Sequence, residues 1–137
     1  MADTQQKFSR VLLVEDDTFL VGMYVTKLQL EHFNTLVATE GEQGLMLAKQ
    51  HLPDLILLDI VLPKMDGFLV LEELKRDPET RPIPVILLTN LGQKKDIERG
   101  IALGASDYLI KAHFMPSEVI EKIKKVIEQT KTLRSLS

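Results

Sequence analysis

The sequence has no cysteine and no tryptophan. Without cysteine the chain can form neither a disulfide framework nor a thiolate metal site. It also lacks the run of about 18 apolar residues that a membrane-spanning helix needs, and its first ten residues, MADTQQKFSR, lack the apolar core of a signal peptide. We therefore expect a cytoplasmic chain that makes no contact with a membrane.

An excess of charge of one sign is also missing. The 17 Lys and Arg residues nearly balance the 20 Asp and Glu residues, which leaves a formal net charge of -3. Such a mixture presents no basic field to a phosphate backbone, so direct binding of nucleic acid is not expected.

The length and composition fit one folded domain. A chain of 137 residues buries enough apolar surface to hold a core without disulfides or metals. Its 45% hydrophobic and 27% charged residues are ordinary values for a globular protein. We expect the domain to cover residues 10–130, between an N-terminal tail at 1–9 and a C-terminal tail at 131–137.

Short apolar runs alternate five times with helical patterns along the chain. The predicted strands cover residues 11–15, 35–39, 55–59, 85–89 and 107–111. The predicted helices run from 18 to about 33, 41 to 51, 65 to 77, 93 to 103, and 116 to about 130, with Asp17 or Thr18 as the first N-cap and Gly104 as a C-cap. This alternation predicts an α/β fold in which helices cover both faces of a parallel sheet. The run LILLD at 55–59 is apolar at four consecutive positions, as in a central strand buried on both faces.

Polar side chains follow four of the five predicted strands. They are Glu15, Asp16 and Asp17 after the first strand, Asp59 after the third, Thr89 after the fourth and Lys111 after the fifth. Taken singly, each has a simple explanation as a helix cap or a solvated strand end. In a flavodoxin-like, doubly wound (βα)5 sheet of order 2-1-3-4-5, however, strands one and three are neighbours, and ligands bind at their carboxyl ends. We expect these side chains to form one site there.

The residue types at this edge indicate a chemistry. Clustered carboxylates repel each other unless a cation lies among them, and a set of oxygen ligands favours Mg²⁺ over zinc. Phosphoryl oxygens and water would complete the coordination of that ion, while Thr89 and Lys111 would stabilise the other phosphoryl oxygens. The rigidly held Asp59 is then a candidate nucleophile that forms an aspartyl phosphate.

Four segments, VLLVEDD, LLDIVLPKMDG, VILLT and GASDYLIK, resemble the receiver domain of two-component response regulators. The resemblance covers about residues 10–130. It implies that Asp59 is the phosphoacceptor and that Glu15 and Asp16 are the acidic pair that holds Mg²⁺, with the backbone carbonyl of Val61 as a third metal contact. Three further roles are implied: Thr89 as the switch hydroxyl, Lys111 as the phosphate-contacting lysine and Tyr108 as the aromatic that changes rotamer on activation.

The same resemblance implies partners and excludes an enzyme with an external substrate. The chain would catalyse only its own phosphorylation and dephosphorylation, with phosphohistidine of a sensor histidine kinase or a histidine phosphotransfer protein as donor. Phosphorylation would change the surface of the fourth helix, fifth strand and fifth helix, which would then bind a downstream effector or support onward phosphorelay. That surface is also a candidate homodimer contact. Because the sequence ends soon after the fifth helix, we expect a single-domain regulator whose output occurs through another protein.

Three residues depart from the family pattern and keep alternatives open. Ala112 stands where proline usually follows the lysine, Asn90 replaces a smaller residue and Leu62 replaces the commoner methionine. One alternative is a pseudo-receiver that signals without phosphorylation, which Mg²⁺ binding would distinguish. A phosphohydrolase would want a second carboxylate where Val61 stands. A nucleotide-binding Rossmann half would need a G-x-G-x-x-G stretch after the first strand.

Overall fold

The computed structural model describes residues 9–136, and its apolar runs form one parallel five-stranded sheet. The strand order is β2-β1-β3-β4-β5, as predicted. The strands are β1 (Arg10–Val14), β2 (Asn34–Ala38), β3 (Leu55–Leu58), β4 (Val85–Thr89) and β5 (Asp107–Ile110). The helices are α1 (Thr18–Leu30), α2 (Gly41–His51), α3 (Gly67–Arg76), α4 (Lys94–Ala102) and α5 (Pro116–Leu136). No helix in the described range is both long and apolar enough to cross a membrane.

Side chains at the helix ends explain where several helices begin and end. The Asp17 carboxylate caps α1 by accepting hydrogen bonds from the amides of Phe19 and Leu20, at 3.0 and 3.2 Å. Asp66 caps α3 in the same way, accepting from the Leu69 amide at 3.0 Å. The C-cap of α4 is Leu103 and not Gly104 as predicted, but Gly104 follows it with φ of +109°, a conformation that side chains rarely adopt, and so ends the helix.

The core forms two layers, one on each face of the sheet. The residues of β3 are entirely buried, which confirms that it is a central strand. One layer receives Ala48 from α2, Leu71 from α3 and the partly buried Ile97 from α4. The other receives Leu28 from α1 and Ile123 from α5. This double burial fixes the five strand ends as one rigid edge.

Most element ends differ from the sequence prediction by one or two residues: β1 and β2 each begin and end one residue earlier, β3 ends one residue earlier, and α3 and α4 are shorter at both ends. Three further differences affect a longer segment or a site residue. Helix α1 ends at Leu30 and not near residue 33, because His32 adopts φ of +67° and leaves the helix. Strand β5 ends at Ile110, so Lys111 is not in the strand but begins a single 3₁₀ turn, Lys111–His113. Helix α5 continues to Leu136, through most of the expected tail at 131–137, because no proline or glycine interrupts it. Of the expected N-terminal tail, residues 1–8 lie outside the described part.

Candidate functional site

Three carboxylates meet where β1 and β3 end. These two strands pair in parallel, with Val14 opposite Leu58, so the residues that follow them leave the sheet side by side. One carboxylate oxygen each from Glu15, Asp16 and Asp59 lies within 4.8 Å of the others. Glu15 and Asp59 are buried whereas Asp16 is exposed, so the cluster is open to solvent on the Asp16 side.

Lys111 joins this cluster from the 3₁₀ turn that follows β5. Its Nζ donates a hydrogen bond to Asp59 Oδ2 and another to Glu15 Oε1, both at 2.7 Å. Burial alone would lower the pKa of Lys111, but the hydrogen bonds with Asp59 and Glu15 outweigh burial and raise that pKa. Lys111 is therefore positively charged and neutralises part of the acidic cluster.

The pKa of Glu15 is raised as well, but for a carboxylic acid this favours the neutral form. Burial raises its pKa, and the repulsion of Asp59 adds to the effect, despite the hydrogen bonds that Glu15 accepts from Lys111 and from the Asp17 amide. Three carboxylates against one ammonium leave an excess of negative charge that a divalent cation would offset. The donor set consists of oxygen atoms alone, which fits Mg²⁺.

The remaining residues named from the sequence surround this cluster. The Val61 amide donates to Asp59 Oδ1 at 3.2 Å, so the loop after β3 turns back over the carboxylate. Asp17 serves as the cap of α1, while its amide donates to Glu15 Oε2 at 3.1 Å. Ala112 does not draw the preceding lysine away from the cluster, since Lys111 still contacts both Asp59 and Glu15.

Thr89 and Tyr108 both contact the backbone of Leu91, two residues after Thr89. The Leu91 amide donates to Thr89 Oγ1 at 3.4 Å, and the Tyr108 hydroxyl donates to the Leu91 carbonyl at 2.6 Å. Thr89 is fully buried and Tyr108 is 9% exposed. Burial raises the pKa of Tyr108 to about 12. Both contacts use backbone atoms of Leu91, so they do not depend on the identity of its side chain.

Fold and site together define a doubly wound α/β domain with an acidic cluster and a lysine at its switch point. The profile of the family described as "Response regulator receiver domain" matches residues 11–124. The chain belongs to this family of two-component signalling domains, in agreement with the resemblance of its four segments.

A curated relative supports this assignment. The DNA-binding dual master transcriptional regulator RpaA of Synechocystis sp. is 39% identical over 121 residues, which cover 88% of this chain and 50% of RpaA. The chain thus spans about half the length of that relative.

Solved structures agree with the fold. A CheY-like receiver domain protein of Methanospirillum hungatei JF-1 superposes with a TM-score of 0.86 at 25% identity, over 92% of this chain and 98% of that one. The receiver domain of the sensor histidine kinase PA1611 of Pseudomonas aeruginosa PAO1 gives 0.81 at 27% identity, over 89% and 99%. That structure holds a magnesium ion coordinated in its active-site cleft.

Proposed function

We propose that this chain is a phosphorylation-dependent switch in which Asp59 accepts a phosphoryl group. The observation that carries the proposal is the meeting of Glu15, Asp16 and Asp59 with the Lys111 ammonium at one sheet edge. Two of these carboxylates are buried beside a charged lysine, an arrangement that simple helix capping does not require. Receiver domains use such a site for signalling by phosphorylation.

The metal site is proposed on the same residues. Glu15, Asp16, Asp59 and the Val61 backbone carbonyl would hold Mg²⁺. The bound ion would neutralise charge on the phosphoryl oxygens and so lower their repulsion by the carboxylates. The open Asp16 side gives the ion and the phosphodonor a route from solvent.

The reaction is a transfer of one phosphoryl group between a nitrogen and an oxygen. An Asp59 carboxylate oxygen attacks phosphorus, the bond from phosphorus to the imidazole nitrogen of phosphohistidine breaks, and the imidazole leaves with its electron pair. Lys111, already 2.7 Å from Asp59 Oδ2, would follow the new phosphoryl oxygens and stabilise their charge. No external substrate is turned over.

A conformational change is proposed to pass from Thr89 to Tyr108 when Asp59 is phosphorylated. A phosphoryl group on Asp59 would draw the Thr89 hydroxyl toward it, and the shared contact with Leu91 gives Tyr108 a means to respond. Tyr108 lies in β5, between α4 and α5, where Lys122 Nζ also lies 3.6 Å from Asp107 Oδ2. The α4-β5-α5 surface would then be presented differently to an effector, a phosphorelay partner or a second copy of the chain.

The proposed donors are a sensor histidine kinase and a histidine phosphotransfer protein, and the proposed location of the chain is the cytoplasm. The competing function is a pseudo-receiver that binds partners without being phosphorylated. Ala112 and the exposed Asn90 suggest it, because both depart from the family pattern. The position of Lys111 supports the phosphorylated switch, because that lysine reaches Asp59 although alanine follows it.

Intact mass after incubation with acetyl phosphate, with and without Mg²⁺, tests the proposal. We expect the wild type to gain one phosphoryl group only when Mg²⁺ is present, and Asp59→Asn to gain none. Asp54→Asn is the matched control, because Asp54 lies at the opposite end of β3, where it accepts from the Arg10 amide. A folded wild type that gains no mass beside a working receiver domain would favour the pseudo-receiver.

A further inference from the structure

Helix α4 lies unusually close to the sheet at Gly100. This glycine is buried, and a Cβ atom placed on it would lie 2.6 Å from Leu87 Cδ1 and 3.0 Å from Tyr108 Cδ2. These distances are shorter than carbon atoms tolerate without movement. A glycine inside a helix costs stability relative to alanine, so the close approach accounts for its presence here.

The two neighbours of Gly100 differ in their freedom to move. Leu87 is fully buried in β4 and packed into the core on one face of the sheet. Tyr108 lies in β5, the edge strand, and the residue as a whole is 9% exposed, whereas Leu87 is not exposed at all. A methyl group at position 100 would press on both side chains, and of the two only Tyr108 borders solvent into which it can move.

A displaced ring would lose its polar contact as well as its packing. The Tyr108 hydroxyl donates to the Leu91 carbonyl at 2.6 Å, and the Leu91 amide donates to Thr89 Oγ1. Because Gly100 has no side chain, the ring can lie where its hydroxyl reaches the Leu91 carbonyl, in the loop that follows Thr89.

We propose that Gly100 is a positioning residue for Tyr108: by leaving out a side chain, it lets the ring lie inward against α4 and sets the balance between inward and outward positions. The role in signalling rests on the proposed function, since a ring that responds to phosphorylation must be coupled to the site in both directions. A substitution that disfavours the inward ring should then weaken the binding of a phosphoryl mimic at Asp59.

Tyrosine fluorescence tests the packing part without phosphorylation. The chain has two tyrosines and no tryptophan, so in a Tyr24→Phe background the emission comes from Tyr108 alone. We expect Gly100→Ala to increase the quenching of this emission by acrylamide, because the ring becomes accessible. Gly22→Ala is the matched control: Gly22 lies within α1, and a Cβ there would meet nothing within 4 Å. Equal quenching in folded Gly100→Ala and in the control would overturn the proposal.

Beryllofluoride with Mg²⁺ tests the coupling to the site. We expect Gly100→Ala to weaken its binding by about fivefold or more, within the usual range of coupling between sites, and Gly22→Ala to leave it unchanged. In a Tyr108→Leu background the same glycine substitution should have little further effect, since its target is gone. An equal loss in both backgrounds would show that Gly100 does not act through Tyr108.

If Gly100→Ala does not fold, the test can be made in a Leu87→Val background, in which the shorter of the two contacts is absent. Leu87→Val removes the nearer clash, and adding Gly100→Ala to it leaves the contact with the tyrosine ring. We expect greater quenching and weaker mimic binding in the double variant than in Leu87→Val, and identical values would contradict the proposal. Failure of the proposed function is separate, because it would appear as absent phosphoryl gain in the wild type while the quenching difference persisted.

Discussion

Lys111 places one positive charge between two buried carboxylates that would otherwise face each other without a cation. Its Nζ contacts Asp59 and Glu15 at the same distance, so it stabilises the resting cluster and is in place for a phosphoryl group. The same charge must also oppose a second cation at that position, because like charges repel.

Replacing Lys111 should therefore separate phosphorylation from metal binding. We expect Lys111→Met to slow phosphorylation by acetyl phosphate about 100-fold, as when one charge-stabilising donor is removed from an active site, and to tighten Mg²⁺ binding. Mass spectrometry and calorimetric titration would measure the two effects. Lys64→Met, which removes an exposed ion pair with Glu40, should change neither. Weaker Mg²⁺ binding in Lys111→Met would contradict this account.

Tyr108 should make the stability of the folded protein depend on pH in the alkaline range. Burial raises its pKa from 10.0 to about 12, so the folded protein holds the phenol proton more tightly than the unfolded chain does. Stability from this group is complete below pH 10 and decreases as the pH rises from about 10 to about 12. In Tyr24→Phe, ultraviolet titration should give a midpoint near 12 for Tyr108. A midpoint near 10 would mean that the ring is exposed.

Single residues also show how far the sequence could predict the site. Glu15, Asp16, Asp59 and Lys111 could be placed together, because each follows a strand whose apolar run is clear and parallel strands end at one edge. The contacts of Leu91 with Thr89 and Tyr108 could not be predicted, since they are made by backbone atoms that every residue carries.

At the scale of elements, the C-terminal end of α3 is hydrogen-bonded to the loop before β4. The Thr80 hydroxyl, buried in the core, donates to the Leu74 carbonyl at 2.7 Å, and Lys75 Nζ donates to the carbonyls of Arg81 and Ile83 at 3.0 and 2.8 Å. These bonds satisfy carbonyls that a helix end and a loop would otherwise leave unpaired.

Removing the Thr80 hydroxyl should destabilise the protein. We expect Thr80→Val to lower the free energy of unfolding by about 1–3 kcal/mol, because the buried Leu74 carbonyl loses its partner. Urea denaturation with an unchanged m-value would measure the loss. Thr26→Val is the control: its hydroxyl donates to the Gly22 carbonyl at an exposed position, so the change should stay within about 0.5 kcal/mol. Equal effects in the two variants would contradict the prediction.

Element types followed from the sequence more securely than element ends. The five apolar runs and five helical patterns were confirmed, because a strand buried on both faces leaves a continuous apolar run and a helix buried on one side leaves a periodic one. The end of β5 was wrong by one residue, since a 3₁₀ turn at Lys111 has no distinctive composition. The length of α5 was underestimated because exposed polar residues such as those at 128–132 suit a helix as well as a tail.

For the whole molecule, the acidic cluster predicts that Mg²⁺ stabilises the fold. A ligand that binds only the folded state adds about 2.7 kcal/mol of stability at 100 times its dissociation constant. We expect thermal unfolding of the wild type to shift upward with Mg²⁺, and Asp16→Asn to shift much less. Asp17→Asn keeps an N-cap on α1 and should respond like the wild type. Equal shifts in wild type and Asp16→Asn would remove Asp16 from the metal site.

The contacts of Lys111 join residues that are far apart along the chain. It meets Glu15 across 96 positions and Asp59 across 52. Contacts between distant segments form late in folding, because closing long loops must precede them. The reactive cluster therefore exists only after β1, β3 and β5 have assembled, and a nascent or partly folded chain cannot take part in signalling. The proposed phosphorylation of Asp59 therefore requires a chain that has already folded.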